Sequence, residues 1–247
     1  MDLTGKVALV TGSSRGIGAG IIRGLAAHGA ICVVNYVADA AGRNLADAQS
    51  VAHDSGAGLV VEADVSDHAR VGAAMEEITA RLGGIDILVN NAGILRDRTI
   101  RKMTPDDFHA VVQVNLGGAF NTLQHATSLL RPGGRIVNIA SVAGFMGFFG
   151  QANYASAKAG LVALTKVAAR EFARQRITVN CVAPGFVETE IIKEMPAEVT
   201  ARFLEQIPLG RIGRIEDVVN AVCFLCAPQS DYVTGQTIHV NGGMAMF

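Results

Sequence analysis

Short runs of β-branched and aliphatic residues alternate with longer alanine-rich stretches of helical period along the whole chain. The runs are Val7 to Val10, Ile31 to Asn35, Leu59 to Glu62, Ile85 to Val89, Arg135 to Ile139, Thr178 to Val182 and Thr237 to Val240. Between them the periodicity predicts helices near Gly16 to His28, Ala40 to Asp54, Asp67 to Leu82, Thr104 to Leu130, Asn153 to Arg174 and Glu216 to Cys226. Strands that alternate with helices pack best as a parallel sheet covered on both faces, so the pattern predicts seven parallel strands in three layers. The connections are short, and no linker, charge block or repeat divides the chain, so a single domain over residues 1–247 is expected. The stretch 184–213 differs. It carries Pro184, Pro196 and Pro208 and no strand pattern, and it reads as a substrate lid.

Half of the 247 residues are hydrophobic, enough for one sizeable core. The 21 basic and 22 acidic residues leave a formal net charge of -1, without the basic surplus that a nucleic-acid partner needs. No apolar run reaches the roughly 18 residues of a membrane span. Residues Met1 to Lys6 run into the first strand without a basic leader, and a soluble, cytoplasmic protein is the expectation. Cys32, Cys181, Cys223 and Cys226 lie in apolar segments and read as reduced core thiols. The six histidines show no metal-ligand spacing, so no catalytic metal is expected.

The first strand runs into Thr11-Gly12-Ser13-Ser14-Arg15-Gly16-Ile17-Gly18 and then a helix. Glycines at such a turn let the backbone approach a ligand, and the helix start offers free N–H groups to a pyrophosphate. The spacing, G-x-x-x-G-x-G, departs from the commoner G-x-G-x-x-G. Asp64-Val65 and Asn90-Asn91-Ala92-Gly93 follow the third and fourth strands, at the carboxyl ends where open α/β sheets hold ligands. Asp64 reads equally as a helix cap. The second strand ends in Asn35-Tyr36-Val37 with no carboxylate to meet a ribose 2′-hydroxyl, and Arg15 lies in the glycine turn; together they favour NADP(H) over NAD. Asp39 is the contrary acid, with an N-cap as its simpler role.

Ser141 follows the fifth strand, and Tyr154 and Lys158 share one face of the next long helix. Free tyrosine titrates near 10, and a neighbouring ammonium would lower that value, which suits a phenol asked to exchange protons near neutrality. The trio fits carbonyl reduction by hydride transfer. Tyr154 gives the proton, Ser141 holds the oxygen, and Lys158 tunes the phenol and meets the nicotinamide ribose.

On these motifs the chain resembles a short-chain dehydrogenase/reductase, a single-domain Rossmann-type three-layer α/β sandwich. The resemblance extends to Pro184-Gly185 and to Asn115, the position at which the family holds a water that links the lysine to solvent. It implies cofactor contacts from Gly12, Ser14, Arg15, Gly16, Ile17, Gly18, Asn35, Tyr36, Asp64 and Val65, and from Asn91, Ala92, Gly93, Tyr154, Lys158, Pro184, Gly185, Val187 and Thr189. Gly150 to Tyr154, Ala183 to Thr189 and Val240 to Met244 are most similar to the 3-oxoacyl-[acyl-carrier-protein] reductases and the related acetoacetyl-CoA reductases. That likeness implies an acyl thioester on acyl carrier protein or coenzyme A, NADPH and a homotetramer.

The sequence also departs from that pattern. The usual Arg-Gly-Ile before the sixth strand is Gln175-Arg176-Ile177, and the basic position before the fifth is altered to Arg131-Pro132-Gly133-Gly134. Arg174 and Arg176 are candidates to receive an acidic carrier protein, or ordinary solvated charges. Phe145, Met146, Phe148 and Phe149 are candidates for an acyl pocket or for a subunit contact. Two other readings stay open, a dehydrogenase of another secondary alcohol and a nucleotide-binding sensor without turnover.

Overall fold

The computed structural model describes residues 1–189 and 197–247. Seven strands, β1 (Val7–Val10), β2 (Ile31–Tyr36), β3 (Leu59–Glu62), β4 (Ile85–Asn90), β5 (Leu130–Ile139), β6 (Thr178–Pro184) and β7 (Thr237–Val240), form one sheet in the order 3-2-1-4-5-6-7. Every pairing is parallel. The helices are α1 (Gly16–Ala27), α2 (Arg43–Ser55), α3 (His68–Leu82), α4 (Pro105–Val112), α5 (Gly118–Leu129), α6 (Ala143–Met146), α7 (Ala152–Glu171), α8 (Ala197–Leu204) and α9 (Ile215–Cys226). The strand order reverses between β1 and β4, and there the loops at the carboxyl ends part into a crevice.

Alternate residues of each strand feed two cores. On one face Ala8, Val10, Val34 and Val137 pack with Ile21, Ile22 and Leu25 of α1 and with Val218 and Val222 of α9. On the other, Val7, Leu9, Val33 and Ile136 meet Met75 and Ile78 of α3, Leu123 of α5 and Ala168 of α7. Burial on both sides is why the central strands read as continuous apolar runs. α1 lies close against α9, since a methyl added at Gly20 or Gly24 would overlap Ile215 or Val219.

The helix expected over Thr104 to Leu130 is divided. Thr104 caps α4 by accepting from the Asp107 N–H (3.1 Å), with Pro105 in the first turn. A single wide π turn over Gln113–Gly117 then inserts before α5. One extra residue in a helix shifts the facing of everything after it, which is why such turns collect at functional sites.

The excursion 184–213 leaves and returns at one place. Gly213 donates to the Phe186 carbonyl (2.9 Å), and Glu188 to that of Gly213 (2.8 Å). Its middle carries α8; the stretch 190–196, with Pro196, lies outside the described residues.

The amino ends of the strands hold a second charge cluster. Asp86, largely buried, accepts from Arg131 Nη1 (2.6 Å), Lys6 Nζ (3.2 Å) and the Val7 N–H (3.0 Å). Arg131 is therefore committed to the fold at the end of the sheet opposite the crevice. Arg176, in the position where the resemblance has glycine, has φ 57 and is the one non-glycine residue described with positive φ. An L side chain in the left-handed region carries a steric cost of about 1 kcal/mol that glycine escapes. Arg176→Gly is expected to raise unfolding free energy by about 1 kcal/mol, read as a higher urea midpoint at unchanged slope.

Candidate active site

The turn after β1 is held by backbone and amide hydrogen bonds. Thr11 Oγ1 accepts from the N–H groups of Asn91 (3.0 Å) and Ala92 (3.1 Å), while Asn91 Nδ2 donates to the carbonyls of Thr11 and Gly12, both at 3.0 Å. Gly12 has φ 59, and a Cβ there would lie 2.8 Å from Ala92 Cα, so only glycine fits. At Gly18 a Cβ would stand 2.5 Å from Asn91 Nδ2.

Arg15 occupies the N-cap of α1 without a capping side chain, and the first turn carries no acid. The first intrahelical bond is donated by Ala19 to the Arg15 carbonyl (3.2 Å), which leaves the N–H groups of Gly16, Ile17 and Gly18 ahead of it. An uncapped helix start beside a half-exposed arginine and the buried Ser14 is a fit for a pyrophosphate.

Asn35, expected at the ribose, lies one layer further in. Its Oδ1 accepts from the Gly12 N–H (2.9 Å), its Nδ2 donates to the Ala63 carbonyl (3.1 Å), and the residue is buried. It shapes the turn rather than facing the groove. Tyr36 ends β2 with its hydroxyl 3.5 Å from Glu62. Asp39 turns its carboxylate to the Asn44 N–H (2.8 Å), securing the start of α2 and leaving no other acid at the end of β2. Asp64 accepts from the Ser66 N–H (2.9 Å) and hydroxyl (2.7 Å), and Asp67, not Asp64, caps α3. Val65 is buried and Gly93 lies against Asn115.

A second cation near this corner escaped the sequence reading. Arg15 Nε lies 3.9 Å from Asp47 on α2, and Arg43, one turn before Asp47, opens the same helix with an exposed side chain. Its position a few residues beyond the end of β2 was the available signal.

At the chemical end, Ser141 follows β5, and its hydroxyl is near enough to the Tyr154 phenol to act on its titration. Its Oγ also accepts from the Ala143 N–H (3.1 Å), which fixes the hydroxyl in a short turn. Lys158 is buried, donates to the Ile139 carbonyl (2.7 Å), and holds Nζ 5.6 Å from the centre of the Tyr154 ring. Asn153, fully buried and missed in the sequence, fixes the start of α7. Its Nδ2 donates to the carbonyls of Arg96 (2.9 Å) and Asp107 (3.1 Å), and its Oδ1 accepts from the Tyr154 N–H (2.8 Å).

One expectation changes. Burial lifts the phenol of Tyr154 above its ordinary value, with the Ser141 hydroxyl pulling the other way and the Asp97 carboxylate adding to the rise. The lowering expected from Lys158 does not prevail, and Lys158 is itself pushed down to about 8 by burial. Asn115 sits in the π turn with both amide atoms taken by Ile94, accepting from its N–H (2.8 Å) and donating to its carbonyl (3.1 Å). The amide clamps the loop after β4.

Pro184 ends β6 opposite Val240, and Gly185 donates to the Val240 carbonyl (2.9 Å) with a Cβ position only 2.8 Å from Asn241 Cβ. The Val187 side chain is in the core, its backbone bridges Gly213, and the Thr189 N–H donates to the Val187 carbonyl (2.7 Å). Of the aromatic loop, Phe148 meets Phe186 (5.9 Å between centres), which stacks on Phe203 of α8 at 3.9 Å. Phe145 turns instead to His239 and Phe247, and Phe149 is exposed. Behind Phe186 a cavity of about 370 Å³ contains none of Ser141, Tyr154 or Lys158.

All four cysteines are unpaired, and among the described residues no group of three or more His, Cys, Asp or Glu side chains is gathered to hold a metal ion. Among the same residues no helix is long and apolar enough to cross a membrane.

A family model described as enoyl-(acyl carrier protein) reductase matches residues 12–245. The chain is 42% identical over 248 residues to 3-oxoacyl-[acyl-carrier-protein] reductase of Escherichia coli K12, covering 100% of both chains. The enzyme of the same name from Salmonella typhimurium is likewise 42% identical over 248 residues and 100% of both. That from Staphylococcus aureus is 44% identical over 245 residues, 98% of each.

The buried lysine gives a test of the site without ligand. Folded Lys158 titrates at about 8 and free lysine near 10.5, so between these values the unfolded chain binds the extra proton and stability rises with pH. Below about pH 8 both states are protonated and the burial penalty is fully present. The urea midpoint of Lys158→Met should lack the rise that wild type gains between pH 8 and 10, the difference cancelling the cysteine titrations common to both.

Proposed function

The chain belongs to the short-chain dehydrogenase/reductase family, and on that premise we propose that it reduces the 3-oxo group of an acyl thioester to the 3-hydroxy group with NADPH. The observation that carries the reading is the grouping of the Ser141 hydroxyl, the Tyr154 phenol and the buried Lys158 beyond the carboxyl end of β5, on the same side of the sheet as the glycine turn. Two hydroxyls brought together in this way can hold one oxygen. The name of the matching family concerns an enoyl substrate, whereas the Ser141, Tyr154 and Lys158 set and the names of the three relatives favour a ketone.

NADPH, when bound, supplies the hydride that reaches C3 of the substrate. Tyr154 donates its proton to the substrate oxygen, and a phenol held above its ordinary titration value keeps that proton at neutral pH. Ser141 donates a hydrogen bond to the same oxygen and fixes the carbonyl against Tyr154. Lys158, with a value near neutrality, can pass a proton to the phenolate left behind. Gly12 and Gly18 give the turn its close approach, and Gly16, Ile17 and Gly18 offer N–H groups to the pyrophosphate. Arg15 and Arg43 flank the corner where a 2′-phosphate belongs, and of the acids nearby Asp39 is bonded to Asn44 and Asp47 lies 3.9 Å from Arg15.

The stretch 184–213 acts as the lid, its feet joined at Phe186–Gly213 and its α8 reaching the catalytic loop through Phe203, Phe186 and Phe148. A homotetramer is supported by Phe120 and Val167, apolar side chains about half exposed on α5 and α7. The cytoplasm is the compartment that suits four unpaired thiols.

Tyr154→Phe should retain NADPH binding, followed by nucleotide fluorescence, while turnover of a 3-oxoacyl thioester falls by about 10²-fold or more. Unchanged turnover would refute the assignment. The double variant Arg15→Ala/Arg43→Ala should raise the KM for NADPH by about 10-fold and leave that for NADH alone. Equal change with both nucleotides places these arginines elsewhere.

A further inference from the structure

The loop between β4 and α4 is bound to the start of the catalytic helix at several points. Arg98 donates its N–H to the Gly150 carbonyl (2.9 Å) and bridges Gln151, whose Nε2 donates to Asp97 Oδ2 (2.8 Å). Asn153 adds its bond to the Arg96 carbonyl. Residues 96–102 therefore stand at the entrance to Tyr154. They hold four cations, Arg96, Arg98, Arg101 and Lys102, against one acid, Asp97.

Asp97 is taken by Gln151, and Arg96 lies 3.8 Å from Asp107 on α4. Asp106 is the remaining acid nearby, in the first turn of α4. Arg98, Arg101 and Lys102 are exposed, and no ion pair is formed by any of the three among the described residues. In their midst Ile100 is 82% exposed. An apolar side chain ringed by unpaired cations on a chain of net charge -1 is the complement of a protein face that is acidic around an apolar patch.

The other basic candidates lie elsewhere in this chain. Arg131 is engaged by Asp86, and Arg174 and Arg176 precede β6, whose seven residues span roughly 23 Å before the crevice is reached.

Resting on the thioester-reductase reading above, we propose that the loop Arg96–Lys102 is the docking surface for an acidic protein that carries the acyl thioester. Its test compares one acetoacetyl group on three carriers: acyl carrier protein, coenzyme A and N-acetylcysteamine. In Arg101→Glu/Lys102→Glu the KM for the protein-linked substrate should rise by about 10-fold or more at little changed kcat, with both small thioesters unaffected. The wild-type KM for the protein-linked substrate should also climb with ionic strength while that for the cysteamine thioester stays flat. An unmoved KM for the protein-linked substrate overturns the proposal. So does an equal loss on all three, which marks a positioning role for the loop, or an equal loss on coenzyme A, which makes nucleotide phosphates the occupant. Failure of the reductase reading looks different, since wild type would then oxidise NADPH with none of the three thioesters, and both conclusions fall together.

Discussion

The bonds between Thr11, Gly12 and Asn91 are the constraint on which the rest of the site depends. A parallel sheet delivers its strand ends to one side of the molecule but does not fix the loops that follow them. Here one hydroxyl and one amide lash the turn after β1 to the end of β4, and the absent side chain of Gly12 lets the two backbones touch. The preceding Asn90 faces the opposite way, as alternation along a strand requires. It joins Thr122 of α5 (2.6 Å) to Asn138 of β5 (2.8 Å), and Asn138 passes to Thr165 of α7 (2.8 Å). Through two adjacent asparagines the nucleotide turn and the catalytic helix are referred to the same strand.

Burial sets the chemistry at the other end. A phenol and an ammonium withdrawn from water both drift toward their neutral forms, so Tyr154 holds its proton more firmly and Lys158 less firmly than either would in solution. The two shifts set the ammonium's value below the phenol's, so a proton passes downhill from Lys158 to the phenolate. Asp97 shares in this arrangement from the loop that also bears the exposed cations, so the entrance and the proton donor are electrostatically joined.

Much of this was legible in the chain. All seven strands appear where the apolar runs put them, the glycine turn and Ser141 follow the carboxyl ends of β1 and β5, and Tyr154 and Lys158 lie on α7. These signals are local, carried by composition and by spacing along one element. What the sequence hid was the direction in which polar side chains point. Asn35 and Asn115 were assigned to the groove by position, yet each spends its amide on a backbone segment far along the chain, Gly12 and Ala63 in one case and Ile94 in the other. The π turn escaped because its residues have ordinary helical composition; only the register of α4 against α5 reveals it. Phe145 and Phe148, three residues apart, part company because a four-residue helix ends between them, at Met146, and turns one to β7 and the other to the lid.

The sulfur atoms carry a last consequence. Cys32, Cys181, Cys223 and Cys226 are all buried, and burial pushes the thiols of Cys32, Cys181 and Cys223 up to about 12, 11 and 11, with Cys226 higher still. Thiolate is the reactive form, so an alkylating reagent finds almost nothing to attack while the sheet is closed. Labelling must wait for the layers to part, which makes the four sulfurs, spread over β2, β6 and α9, an intrinsic clock for how often each part of the molecule opens.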